Sequence, residues 1–337
     1  MTIIYAILIF CLLIVFHEFG HFAVAKLCGV KVNEFSIGMG PAILKKQKGE
    51  TLYSIRLFPI GGFCAMEGED EESSDERAFH RKAAWQKALI VVAGAFMNLL
   101  LAVLIMMGVA YAVGAPTTTI DVVTPGSPAA ASGIRSGDTL TAVDGKNIEK
   151  WSDVSALLAE SEADRVQITV KGEDGTVRTV SSGVMTNDAG RRMIGVVPTK
   201  EHHITDAVKS GIVNTWIMGR GMLQVFGQLF TGRIAASELS GPVGIVAAVN
   251  QTASLGFIYI AYLTALISLN LAIVNMLPFP ALDGGRLLFI VIRKVTGRAI
   301  TDEMESKIHF AGIMLLFMLM IYVTWHDVIR FILPIFN

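Results

Sequence analysis

The sequence predicts an α-helical polytopic membrane protein of about four transmembrane helices, with a membrane-associated β-hairpin region and one inserted α+β soluble domain. Three observations lead there. The 337 residues are 53% hydrophobic with a mean hydropathy of +0.56, too apolar for a soluble chain with one or two cores. Four runs, at 2–24, 88–113, 256–281 and 308–332, reach the roughly 20 apolar residues that cross a bilayer. Between the second and third runs the pattern changes to strand-like alternation, as in Val166-Gln167-Ile168-Thr169-Val170, with turn signals at Asp144-Gly145 and Asp174-Gly175.

The first run has no positive residue before it and no small-residue cleavage site after it, so it reads as a retained spanning helix, not a signal peptide. Residues 34–64 alternate as two strands around a turn at 45–49, followed by Pro59-Ile60-Gly61-Gly62. With the second span they make a first membrane segment, 1–114. The soluble domain occupies 115–200. Residues 201–255 are moderately apolar with scattered polar positions; over 204–232 they read either as an amphipathic helix at the interface or as a helix packed on the soluble domain. The third and fourth spans complete the chain over 256–337.

Charge sets orientation and excludes one class of partner. Lys+Arg (28) and Asp+Glu (29) nearly cancel, so there is no broad basic field for nucleic acid. Short-loop cations are concentrated at 25–87, from Lys26 to Lys87, and after the third span at Arg286, Arg293, Lys294 and Arg298. Such loops stay cytoplasmic, which places both termini and the soluble domain outside the cell. The acidic patch at 67–75 does not reverse this, because acids contribute little to the rule. Cys11, Cys28 and Cys64 are an odd number without paired spacing, so neither a disulfide framework nor a cysteine metal site is expected.

The chemistry is carried by His17-Glu18-Phe19-Gly20-His21 in the first span. On a helix, residues four apart share a face, so two imidazoles reach one ion while Glu18 addresses a bound water. Zinc accepts imidazole nitrogen and keeps an open position in catalytic sites, lowering the pKa of bound water toward about 7. Glu18 would take that proton and hand it to a leaving amine. Ionisable groups within a span cost about 2.5–3.5 kcal/mol each, so three in five residues point to function. A third ligand is offered by Asn275-Met276-Leu277-Pro278-Phe279-Pro280-Ala281-Leu282-Asp283-Gly284-Gly285, where two prolines break the helix and Asp283 ends the third span at matching depth. One Zn2+ held by His17, His21 and Asp283 is the expectation. Asn98, Asn270 and Asn275 are the other intramembrane amides. Asn275 could donate to the oxyanion of a scissile carbonyl or serve as interhelical glue, and both readings stand.

The sequence resembles the site-2 protease family of intramembrane zinc metalloproteases, in its bacterial regulator-of-sigma branch. Beyond the histidine motif the resemblance runs in order through Phe35-Ser36-Ile37-Gly38-Met39-Gly40-Pro41, Gly61-Gly62-Phe63 and Glu67-Gly68-Glu69-Asp70. It continues through Phe79…Trp85-Gln86-Lys87-Ala88, Ala93-Gly94…Asn98, Gly241-Pro242-Val243-Gly244-Ile245 and Asn275…Pro278…Pro280…Leu282-Asp283-Gly284, covering nearly the whole chain. Where the family has Ala-Gly-Pro, this chain has Ala93-Gly94-Ala95. The soluble domain resembles a single PDZ domain, through Val123-Thr124-Pro125-Gly126-Ser127-Pro128-Ala129-Ala130-Ala131-Ser132-Gly133-Ile134 followed by Gly137-Asp138-Thr139-Leu140 and Val143-Asp144-Gly145. One copy is the Gram-positive pattern.

The resemblance implies a plasma-membrane endopeptidase that cuts single-span proteins, such as anti-sigma factors or signal-peptide remnants, in regulated intramembrane proteolysis. It implies His17, His21 and Asp283 as zinc ligands and Glu18 as base. It also implies a hairpin at 34–64 that offers an edge strand to an unwound substrate, a gating element at 204–245, and a PDZ-like domain able to hold a peptide. His80, His202, His203, His309 and His326 have no ligand-like neighbours in sequence and are expected at surfaces or in packing. Two other functions are weighed: a non-catalytic PDZ scaffold, which the four site residues oppose, and a transporter, which would show internal repeats that are absent here.

Overall fold

The computed structural model describes residues 2–69, 73–235, 238, 240–297 and 301–332, with the side chains of Ile60, Phe230, Asp302 and Ile332 set aside. Asp70 and Arg298 lie outside these residues. The chain divides into two compact units, one made of Met1–Val109 with Ser210–Asn337 and the other of Ala110–Lys209.

The first unit holds four helices long and apolar enough to cross a membrane. Helix α1 (Thr2–Leu27) carries Lys26 in its last turn, and α2 (Ala84–Val113) runs unbroken through Ala93-Gly94-Ala95. Helix α7 (Phe257–Asn275) is shorter than the predicted 256–281, because the chain leaves the helix at Asn275 ahead of Pro278 and Pro280. Asp283 therefore does not end the third span; it opens a new helix, α8 (Asp283–Thr296). Helix α9 (Asp302–Asp327) continues into a π-helical turn at Val328–Ile332. Helix α5 (Ile204–Phe230) is amphipathic and exposes Trp216 and Ile217.

Small residues let α1 and α2 meet backbone to backbone. A Cβ at Gly20 would fall 2.3 Å from the Ala93 carbonyl oxygen and 2.8 Å from Met97. Around that contact Leu13, Ile9, Leu101 and Val249 close a core between α1, α2, α6 (Pro242–Leu255) and α7. A second core, of Ala102, Met106, Ala265 and Leu269 with Met218 and Met222, joins α2, α7 and α5. Helix α6 starts at the Gly241-Pro242-Val243-Gly244 motif. The amides of Gly241 and Gly244 donate to Asp327 Oδ2 at 2.9 and 2.8 Å, so a buried carboxylate from the end of α9 takes the place of a side-chain N-cap.

Strands β1 (Val32–Lys48) and β2 (Thr51–Met66) form one long antiparallel hairpin that folds back on itself. Phe35 lies opposite both Cys64 and Tyr53, and Ser36 opposite both Phe63 and Ser54. Residues 34–37 are thus flanked on both sides, while 62–66 have a partner on one side alone among the described residues. The base packs on α1 and α2 through Ala25, Val30, Val32, Phe35, Cys64 and Ile90.

The second unit has its own core, of Ile120, Leu140, Val143, Val154, Val166, Ile168 and Val170. Its sheet runs β10 (Val196–Glu201), β3 (Ala115–Val123), β4 (Thr139–Val143), β6 (Arg165–Lys171), β7 (Val177–Gly183), with short β5 (Lys146–Asn147) beside β4. Helices α3 (Pro128–Ala131) and α4 (Trp151–Glu160) cover it, and Ser127 caps α3 by accepting from the Ala130 amide. Asp144 holds φ 46° beside Gly145, which makes the tight β4–β5 turn read from Asp-Gly. Strands β8 (Met185–Thr186) and β9 (Arg192–Met193) form a separate small hairpin.

Candidate metal centre

The fold draws together His17, His21 and Asp283, each offering one ligand atom. His17 Nε2 stands 3.2 Å from His21 Nε2; Asp283 Oδ2 stands 3.3 Å from the first and 3.5 Å from the second. Four ligands at zinc distances of about 2.0–2.1 Å define a tetrahedron with edges of about 3.3–3.4 Å, and the three observed separations match that edge.

Hydrogen bonding on the far side of each ring fixes what these atoms can be. His21 Nδ1–H donates to the Ile90 carbonyl at 2.8 Å, which leaves Nε2 with a bare lone pair. The Asn98 amide lies 3.3 Å from His17 Nδ1 and is fully buried. With its oxygen turned to the ring it accepts from Nδ1–H, satisfying a buried oxygen that otherwise has no partner and freeing His17 Nε2 as well. Three acceptors then converge with no donor among them, and Asp283 Oδ2 is buried without a hydrogen bond. Such a cluster repels itself unless a cation sits at its centre, so these residues fit zinc.

Neighbouring backbone builds the walls. A Cβ at Gly94 of α2 would lie 2.3 Å from His21 Nε2 and 2.7 Å from His17 Cε1, so only glycine lets α2 come this close to the two imidazoles. Asn275, the last residue of α7, sets its amide nitrogen 3.4 Å from His17 Nε2. Glu18 follows His17 on the face toward the hairpin: a Cβ at Gly62 would be 3.4 Å from Glu18 Cγ and 2.9 Å from the Ser36 carbonyl. The unflanked edge 62–66 therefore passes beside Glu18. Asp283 leaves the Pro278–Leu282 turn with Ala281 at φ 80°, and Arg286, one turn into α8, pairs with Glu69 from the loop after β2. That loop is anchored by Glu67, whose carboxyl is held down at about 2 by Ser73, Asn33 and Lys31.

Of the predicted site residues the structure brings together His17, His21, Asp283, Glu18 and Asn275, with Asn98 beside them. Asn270 is exposed on α7, away from this group. Contacts that spacing alone does not reveal are Asn98 to His17, Glu69 to Arg286, and His309 Nδ1 to the Ala281 amide at 2.9 Å. Of the other histidines, His80 faces the Gly68 carbonyl, His202 the Tyr111 carbonyl, His203 Glu201, and His326 the Tyr322 ring. An apolar cleft of about 390 Å³ lies between α2 and α7, lined by Val92, Phe96, Leu99, Leu223, Leu269 and Leu277 among others.

The class of protein so defined is a metallopeptidase built into membrane-length helices. Comparison with known proteins makes the class specific: residues 5–319 match peptidase family M50, and the chain belongs to that family. A candidate zinc metalloprotease of Clostridium acetobutylicum is 36% identical over 331 residues, covering 97% of each chain. The regulator of sigma-W protease RasP of Bacillus subtilis is 30% identical, over 98% of this chain and 99% of its own. The zinc metalloprotease RasP of Geobacillus kaustophilus is 29% identical with the same coverage. Among solved structures, the PDZ domain of an SdrC-like protein from Listeria innocua aligns with 27% of this chain and 99% of its own, at 22% identity and a TM-score of 0.23. The chain is a zinc-dependent intramembrane protease of regulated intramembrane proteolysis.

Proposed function

We propose that one Zn2+ per chain is held by His17 Nε2, His21 Nε2 and Asp283 Oδ2, and that Glu18 is the general base for peptide-bond hydrolysis inside the membrane. The single observation that carries this is the convergence of three ligand-capable atoms at tetrahedral-edge distances. Bound zinc would polarise a water and the scissile carbonyl. Glu18 takes the water's proton and delivers it to the leaving nitrogen. Asn275 donates its amide N–H to the oxyanion as the tetrahedral carbon forms. Asn98 and the Ile90 carbonyl hold the two imidazoles in the tautomer that leaves Nε2 free.

The substrate is a single-span membrane protein whose helix unwinds locally before cleavage. A helical span hides its amides, and the edge 62–66 beside Glu18 can pair with the freed backbone. The second unit is a PDZ-type module whose end strands, β10 and β7, can receive a peptide. The cation-rich segments at 25–87 and 286–298 support a cytoplasmic face for the hairpin, with both termini and the PDZ-type unit outside the plasma membrane.

The test uses purified full-length chain with a single-span substrate in lipid. Glu18→Gln lowers cleavage by about 10²–10⁴-fold with zinc retained, and Asp283→Ala loses both zinc and activity. Cleavage by Glu18→Gln at the parent rate would overturn the assignment.

A further inference from the structure

The Asp283 carboxylate reaches the histidines from a turn that Ala281 makes in the left-handed region, at φ 80°. Among the described residues only Asp144 and Ala281 adopt a positive φ without being glycine, and Asp144 sits in an Asp-Gly turn where that conformation is common. Alanine has no side-chain group with which to stabilise such a backbone. Ala281 is the third residue of a turn that Pro280 enters and the Leu282 N–H closes on the Phe279 carbonyl at 3.2 Å, and His309, from the first half of α9, adds a hold from outside the turn. The Ala281 N–H donates to His309 Nδ1 at 2.9 Å. A backbone N–H can only donate, so Nδ1 is the acceptor and the ring proton resides on Nε2.

The rest of that α9 face is built around the same turn. The imidazole of His309 stacks on Phe289 of α8, with centroids 5.5 Å apart and an interplanar angle of 52°. One turn earlier, Glu305 pairs with Arg293 of α8. Nearly one turn later, Gly312 lies so close to Pro280 that a Cβ would meet its carbonyl oxygen at 2.5 Å and its own Cβ at 2.7 Å. Residues 305, 309 and 312 follow the i, i+4, i+7 stripe of one helix face. That face grips Pro280 and Ala281 before Asp283, and α8 after it.

We propose that His309 is a positioning residue: by accepting from the Ala281 amide it holds the left-handed turn that aims Asp283 at His17 and His21. This rests on the reading of Asp283 as a zinc ligand. His309 touches neither the ion position nor substrate. Its effect reaches the metal through backbone geometry, so zinc affinity is the quantity it moves. Loss of one neutral hydrogen bond corresponds to about a fivefold change.

The experiment measures zinc affinity by chelator competition, with kcat and KM for a single-span substrate, on the full chain in lipid. His309→Phe keeps a ring against Phe289 but removes the acceptor; His309→Asn restores an acceptor oxygen near the Nδ1 position. Zinc binding in His309→Phe weakens about fivefold or more and kcat falls while KM holds, whereas His309→Asn recovers to within about twofold of the parent. Ala281→Gly added to His309→Phe regains part of the affinity, because glycine adopts the turn unaided. Parental affinity in His309→Phe, or equal loss in both His309 variants, overturns the proposal; equal loss means the ring merely packs. If His309→Phe does not accumulate in the membrane, His309→Asn decides alone: affinity within about twofold of the parent supports the proposal and a weaker value overturns it. Asp283→Ala serves as the control. Retained zinc there removes the ligand reading itself, while lost zinc there beside parental affinity in His309→Phe removes only the role of His309.

Discussion

Gly94 shows how narrow the tolerances at this site are. Two imidazoles occupy the volume its side chain would fill, and the obstacle is not the free end of a flexible chain but rings already fixed by Ile90 and Asn98. Gly94→Ala therefore cannot be absorbed by a rotamer change. The variant is expected to insert and accumulate normally yet bind zinc at least tenfold more weakly, as chelator competition would register; unaltered affinity would mean that α2 can retreat. Asn98 makes the complementary point. Asn98→Leu leaves His17 Nδ1–H without its buried acceptor, so the tautomer that frees Nε2 loses its advantage.

Between elements, the decisive contacts are made by backbone groups received by distant side chains. Asp327 accepts from two amides at the start of α6, and each charge-assisted bond of this kind is worth about 1.5–3 kcal/mol. Asp327→Leu is expected to fray the first turn of α6, raising hydrogen exchange at the Gly241 and Gly244 amides by at least tenfold while α7 stays protected; Asp327→Asn, which keeps an acceptor, gives a smaller rise. Exchange unchanged in both variants would show that the motif is held by other means. This contact also explains part of what the sequence could and could not tell. The Gly-Pro-x-Gly signature announces a helix start with Pro in its first turn, but its capping partner is 83 residues away and has no local mark. The three residues proposed as ligands were legible as candidates, because i, i+4 spacing on a helix and a carboxylate after two prolines act through local geometry. Asn98, Glu69 and His309 were not, since their roles exist only once α2, the hairpin loop and α9 are in place. The left-handed Ala281 is half announced: Pro280 suits the second position of the turn, while alanine conceals the third, which a glycine would have advertised. Hydropathy also runs on past Asn275 while the helix does not, so the third span looks longer in the sequence than in the fold.

At the scale of the whole molecule the proposed orientation decides which face of the membrane each part meets. A membrane-impermeant thiol reagent reads this out. Asp188→Cys, on an exposed turn of the second unit, is expected to label in intact cells, and Lys48→Cys, at the hairpin tip, only after lysis. The native Cys64 gives little background, because burial, with Glu69 and Glu18 nearby, pushes its thiol well above the usual range. The reverse labelling pattern would invert the proposed orientation and put the site in the other half of the bilayer.

The close approach of Gly20 to Ala93 has a mechanical consequence. Where the two helices cross, backbone lies against backbone with Met97 alongside, which leaves little room to slide or re-pack at that point. The half of the centre that holds His17, His21 and Asn98 is in this sense an anvil. Displacement that admits a stretch of unwound chain is therefore expected on the opposite side, at the hairpin edge or at α6 with its Asp327 tether, and mutations that slow cutting without touching zinc should be sought there.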